Sequence, residues 1–176
     1  AYYKDVTGFL DQYVGTWLYT NGTTSLKVIF QRRNHLLRVA YYEDVLVGEY
    51  QYIENGVEKV NTLANININY GNNFKDACKH YIVSGIYLRR ANNRPRCNEC
   101  APFEKRLEMY LNEPNYNGMG LAGNSFVIRR YLDNGVEKLK VWFISENSIS
   151  IVDNNGNVTK PADFKLPYGE YILTKQ

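Results

Sequence analysis

Residues 125–144 read Ser125-Phe126-Val127-Ile128-Arg129-Arg130-Tyr131-Leu132-Asp133-Asn134-Gly135-Val136-Glu137-Lys138-Leu139-Lys140-Val141-Trp142-Phe143-Ile144. Apolar side chains recur at every second position, with Phe126 and Ile128 before the Asn-Gly pair and Leu139, Val141 and Phe143 after it. A period of two is the signature of a half-buried strand. Asn-Gly between two such runs supplies the positive φ angles of a two-residue hairpin turn. The stretch therefore predicts a β-hairpin with one face in a core and one in water.

The pattern repeats along the chain. Val14–Thr20 leads through Asn21-Gly22 to Leu26–Arg33, and Gly48–Glu54 leads through Asn55-Gly56 to Val57–Leu63. Ser148–Asp153 leads into Asn155-Gly156, and a fifth Asn-Gly, at 117–118, sits in the Gly- and Asn-rich loop Asn112–Asn124. Phe103–Leu111 alternates as well. Phe103, Leu107, Met109 and Leu111 share one face with Lys105, and Glu104, Arg106, Glu108 and Tyr110 share the other. Leu26, Val28 and Phe30 face inward on the same reading. Further strands are predicted at His35–Tyr42, Tyr81–Arg90 and Glu170–Thr174. Short helical turns are predicted at Asp5–Gln12 and at Asn73–His80, with Asn73 as cap. The octet Tyr52–Lys59 echoes Tyr131–Lys138, and reuse of a good turn accounts for it.

The chain has 176 residues, 44% hydrophobic and 22% charged, which predicts one globular domain over residues 1–176 and excludes wholesale disorder. No apolar run approaches the ~20 residues of a membrane-spanning helix. A net charge of +3 is too slight to argue for nucleic acid. Sixteen tyrosines suit pleated surfaces. The fold class expected is all-β: an antiparallel up-and-down barrel of about 8–10 strands with one or two short helical turns, since closure removes exposed edges.

Tyr13-Val14-Gly15-Thr16-Trp17 opens the first predicted barrel strand. This resembles the Gly-x-Trp signature of the lipocalin superfamily. The resemblance implies that Trp17 plugs the closed end of the barrel and that Gly15 lets the backbone pass close to a neighbour; both are structural roles. Other lipocalin motifs are missing: no Thr-Asp-Tyr occurs, and no arginine follows Arg130 to pack on the tryptophan. The chain is also similar in character to small exported barrel proteins of Bacteroidetes. That likeness implies a secreted, periplasmic or cell-surface location. It begins at Ala1, so an export leader, if there was one, was cleaved or lies outside the sequence.

The lipocalin resemblance implies a small apolar or amphipathic ligand inside the barrel, lined by Phe30, Met109, Phe126, Val141 and Phe143. An eight-strand barrel is as readily filled by its own side chains. On a filled barrel, the chain would be a protein-interaction module or inhibitor working through exposed loops, with Asn112–Asn124 and Arg89–Cys100 the leading choices.

Cys97-Asn98-Glu99-Cys100 is a C-x2-C, with Cys78-Lys79-His80 upstream. A disulfide from Cys78 to Cys97 or Cys100 suits an exported protein. Free thiols, or a zinc set of Cys78, His80, Cys97 and Cys100, are the alternatives. Arg89, Arg90, Arg94 and Arg96 cluster beside this loop, and Arg32-Arg33 and Arg129-Arg130 add pairs. They read either as solvated strand ends in ordinary salt bridges or as a reader of anionic groups. Tyr2, Tyr3, Tyr41, Tyr42, Tyr50 and Tyr52 are stacking candidates, although barrel walls use tyrosine anyway. No nucleophile elbow, phosphate loop or histidine triad is legible, so no catalytic residue and no cofactor is expected.

Overall fold

The computed structural model describes residues 1–116, 124–146, 151–152, 158–159 and 164–176. Its strands in chain order are β1 (Tyr2–Tyr3), β2 (Gly15–Asn21), β3 (Thr24–Arg38), β4 (Tyr41–Glu54), β5 (Val57–Asn61) and β6 (Ile82–Arg89). They continue with β7 (Arg106–Leu111), β8 (Asn124–Asp133), β9 (Val136–Ser145), β10 (Ile151–Val152), β11 (Val158–Thr159) and β12 (Gly169–Lys175). A four-residue helix, α1 (Phe74–Ala77), and 3-10 turns at Asp11–Tyr13 and Leu63–Asn67 complete the described elements.

The expected barrel forms. Among the described residues, β2, β3, β4, β6, β7, β8, β9 and β12 pair antiparallel with their neighbours in that order. The ring closes through β12 with β2, and through Val47↔Val83 and Gly48↔Ile82 between β4 and β6. Two Asn-Gly pairs act as expected: Asn55-Gly56 and Asn134-Gly135 both take positive φ between Glu54↔Val57 and Asp133↔Val136. Asn21 instead ends β2 opposite Thr24, so the turn is Gly22-Thr23, with Gly22 at φ +58° as its first residue. The pairs at 117–118 and 155–156 lie outside the described residues, as does part of Ser148–Asp153.

Two strand predictions are corrected. His35–Tyr42 straddles the β3–β4 turn: Arg38 pairs with Tyr41, and Val39 carries φ +38°. This hairpin projects past the ring, so its tip has no barrel neighbour to impose an inside and an outside. Phe103 is not inward but 81% exposed. It belongs to a turn closed by Glu104 N–H on the Ala101 carbonyl, and β7 begins only at Arg106. The cap prediction holds: Asn73 accepts from the Asp76 N–H, and α1 follows. The Asp5–Gln12 prediction becomes the 3-10 turn Asp11–Tyr13, fastened by the Asp5 carboxylate, which accepts from the N–H groups of Phe9 and Leu10.

Trp17 is fully buried and donates its indole N–H to the Tyr13 carbonyl at 2.8 Å. The ring seals the end of the barrel from which β2 departs. The bore above it is filled by one continuous cluster, including Leu26, Phe30, Leu46, Tyr50, Met109, Phe126 and Phe143. Gly48 is required here, because a Cβ would meet the Phe30 ring at 2.6 Å. At the other mouth, Phe164 and Leu166 insert into the same cluster. The Lys165 N–H between them is held by both oxygens of Glu113.

The sequence reading put water on every outer face. In two places the structure does not. Glu43 to Tyr50 of β4 are buried on both faces, because residues 62–80 pack α1 across the outside and form a second small core of Leu36, Val45, Val47, Ala77 and Val83. Arg106 to Met109 of β7 and Asn124 to Ile128 of β8 are likewise buried. Residues 90–105 lie over them, with Cys97, Val127 and Trp142 as a third core.

Candidate functional site

The five residues expected to line a ligand site are brought together. Phe30 is 1% exposed, and Met109, Phe126, Val141 and Phe143 are each 0% exposed, all in one packed cluster. At their level the side chains occupy the bore themselves.

The cysteine expectation is corrected. The disulfide joins Cys97 to Cys100, and Cys78 is a free thiol. Cys78 leads into the cover over β4, whereas Cys97 packs on Val127 and Trp142 in the cover over β8 and β9. The two covers lie on different parts of the wall, so neither the Cys78 bridge nor the four-residue zinc set can assemble. Burial raises the Cys78 thiol above its ordinary range.

His80 turns instead to Glu49. Its Nδ1 lies 2.8 Å from Glu49 Oε1, and both side chains are buried. Tyr70 meets the imidazole edge-on, with centroids 5.0 Å apart. The cleft beside the pair, between Arg33, Tyr70 and Asp76, is about 10 Å³, room for one water. This dyad therefore clamps the cover to the wall. Thirty-one residues separate its members. Only the hydrophobic setting of Glu49 within Val45–Tyr50 hinted at a buried partner.

Most of the expected arginine pairs are spent in salt bridges. Arg32 bonds Asp11 and Asp44, Arg129 bonds Glu104, and Arg130 bonds Glu137. Asp44 is the hub of the N-terminal segment. Burial alone would raise its pKa. Bonds from the Tyr2 hydroxyl, the N–H groups of Asp5 and His35 and the Arg32 guanidinium overcome that and bring it to about 2. Of the stacking candidates, Tyr50 and Tyr52 are buried in the bore, while Tyr2, Tyr3, Tyr41 and Tyr42 gather on the projecting hairpin.

The Arg89–Cys100 loop is different. Arg89 is neutralised by Glu108 and Glu146. Arg90, Arg94 and Arg96 are exposed and have no acid partner among the described residues. Arg94 donates to the Ser145 carbonyl, and its loop forms one wall of an open groove of about 420 Å³ shared with Trp142, Ile144 and Glu170. Beneath the loop, Arg106 is fully buried, with its guanidinium carbon 4.9 Å from the Trp142 ring centroid. Burial, and then the nearby Arg89, lower its pKa. The other loop choice, Asn112–Asn124, lies outside the described residues from 117 to 123.

One residue was missed at the closed end. No arginine follows Arg130, but Lys175, on the last strand, lies 5.4 Å from the Trp17 ring centroid. A search for any late cation would have found it.

No match is found among curated proteins or among solved structures. Over residues 2–176 the chain matches the model of a family of unknown function, and it belongs to that Family of unknown function (DUF6705).

Proposed function

We propose that this chain is an exported, lipocalin-like barrel that works as a protein-interaction module from its outer surface, with an anionic partner docking on the arginine-bearing Arg89–Cys100 loop. The observation that carries the reading is the filled bore: Phe30, Met109, Phe126, Val141 and Phe143 are 0–1% exposed. A pocket for apolar cargo needs walls that the cargo can touch. The outer loop adds charge complementarity, since three exposed guanidinium groups have no acid partner among the described residues. Lipocalin kinship is supported by Gly15-x-Trp17 at the start of the ring, the 3-10 turn before it, and Lys175 over the indole. Export is supported by the Cys97–Cys100 disulfide, a bond that persists in oxidising compartments.

Two measurements test this. Native mass spectrometry of the intact chain is expected to give the mass of the protein alone, and titration with a fluorescent fatty acid no saturable binding. One-to-one cargo from either overturns the filled-barrel reading. Hexaglutamate is expected to bind at low salt and to weaken steeply as salt rises. Binding unchanged by an Arg90→Gln/Arg94→Gln/Arg96→Gln variant would remove the loop from the contact.

A further inference from the structure

Among the described residues, Arg106 combines full burial with no acid partner. It points outward from β7. Its Nη2 donates to the carbonyls of Arg90 at 2.7 Å and Asn93 at 3.1 Å, while Nε and Nη1 are buried without any hydrogen-bond partner. The acids around it are engaged elsewhere. Glu99 pairs with Lys140, Glu104 with Arg129, and Glu108 with Arg89 and the Ser125 hydroxyl. A guanidinium taken out of water without a counter-charge is costly, and such groups are normally paired. Here two of its nitrogens, with three N–H donors between them, stand ready, beside the Trp142 ring that the open groove also uses.

We propose that the space between the 90–97 loop and Trp142 is a carboxylate site for an acidic side chain of a protein partner, with Arg106 as its floor and Arg94 at its rim. This rests on the interaction-module reading above and names the chemistry of its contact. The planar fork of arginine suits a carboxylate bidentately. Pro95, Trp142 and Ile144 along the groove suit an apolar residue next to that carboxylate, a contact that a free inorganic anion would not use. Arg106 is 0% exposed, so entry requires the loop to lift. Besides the Arg89 bond to the Arg94 carbonyl and the Arg94 bond to the Ser145 carbonyl, the loop is held over Arg106 by the pair of carbonyl bonds to its Nη2. Docking exchanges those carbonyls for the partner's carboxylate, while Cys97 stays anchored through its N–H bond to Ala91 and the disulfide.

The test follows the Arg106 Nε–H and Trp142 indole N–H signals by NMR on the whole protein, with hexaglutamate as the probe. Saturable shifts of both signals are expected. Arg106→Gln is expected to lower affinity by about tenfold or more, and Arg106→Lys, which keeps the charge but loses the fork, by nearly as much. Arg96→Gln, which removes one exposed charge, is expected to lower it by no more than about threefold. Should Arg106→Gln fail to fold, the wild-type shifts and Arg106→Lys still decide. The site is overturned if Arg106→Lys binds like wild type, or if the Arg106 signal stays still while hexaglutamate binds. In either case the module reading survives, because the outer arginines still hold the probe. Inorganic phosphate moving the same signals as tightly as hexaglutamate would replace the peptide carboxylate by a free oxyanion. No binding of hexaglutamate at any salt would remove both readings.

Discussion

Two segments cover the outside of this barrel, and they treat charge in opposite ways. Residues 62–80 lie over β4, whose two buried glutamates are both paired: Glu49 meets His80 of the cover, and Glu43 meets Arg38 of β3 at 2.8 Å. Residues 90–105 lie over β7, β8 and β9 and, among the described residues, leave the buried Arg106 guanidinium without an acid partner beneath three exposed ones. A cover that only insulates the wall has no reason to leave Arg106 without a counter-charge. The contrast separates a segment that acts as architecture from the one on which the proposed carboxylate site rests.

Substitution on the two sides breaks or sharpens that contrast. The largest effect is expected from His80→Leu, which leaves the Glu49 carboxylate buried and alone and costs about 3–5 kcal/mol in denaturant unfolding. A cost near zero would mean that the dyad is not the clamp. Under the arginine loop, Cys97→Ser/Cys100→Ser removes a four-residue closure worth about 2 kcal/mol by the chain-entropy estimate. Hydrogen exchange at the Cys97 amide is expected to speed up, with the amides of β4 unaffected.

Acid supplies a third, independent anchor for comparison. Asp44 has a folded pKa depressed to about 2. Its contribution is therefore complete above the unfolded carboxylate range and is lost as pH falls from about 4 through about 2, roughly 2 kcal/mol in all. Unfolding measured across that window is expected to flatten in Asp44→Asn, which leaves both covers intact.

The smallest effects belong to the unpaired arginines. Arg106→Met is expected to cost less than about 1 kcal/mol, because relief of desolvation offsets two lost hydrogen bonds and the contact with Trp142. Arg90→Ala and Arg96→Ala are expected to stay within about 0.5 kcal/mol. If Arg106→Met matched His80→Leu, Arg106 would be a structural pin and the contrast would fail.

The hairpins at Asn55-Gly56 and Asn134-Gly135 were legible because turn chemistry and alternation are local. So were the inward positions Leu26, Val28, Phe30, Phe126, Ile128, Leu139, Val141 and Phe143, and the cap at Asn73. His35–Tyr42 misled because the Arg38–Tyr41 turn falls inside it: beyond the ring Leu37 and Val39 are exposed, and Leu36 is sorted by the second core rather than by the barrel. The disulfide misled because an exported setting argues that cysteines pair, not which ones do. Arg106 could not be recognised as buried, since its own strand alternates correctly and the segment that buries it is irregular; for Glu49 the apolar run Val45-Leu46-Val47 beside it was the one hint.

From the residues alone came the all-β ring and the turns at Asn55-Gly56 and Asn134-Gly135, because strand period and turn geometry are properties of neighbours in the chain; the role of Trp17 came only from the Gly15-x-Trp17 resemblance. Only the tertiary structure decided that Phe30, Met109, Phe126, Val141 and Phe143 pack the bore at their level, that the bridge is Cys97–Cys100, and that the Arg106 guanidinium lies buried without an acid partner among the described residues. Each of these depends on which distant segments share a volume, and a list of side chains does not contain that sum of packing and charge.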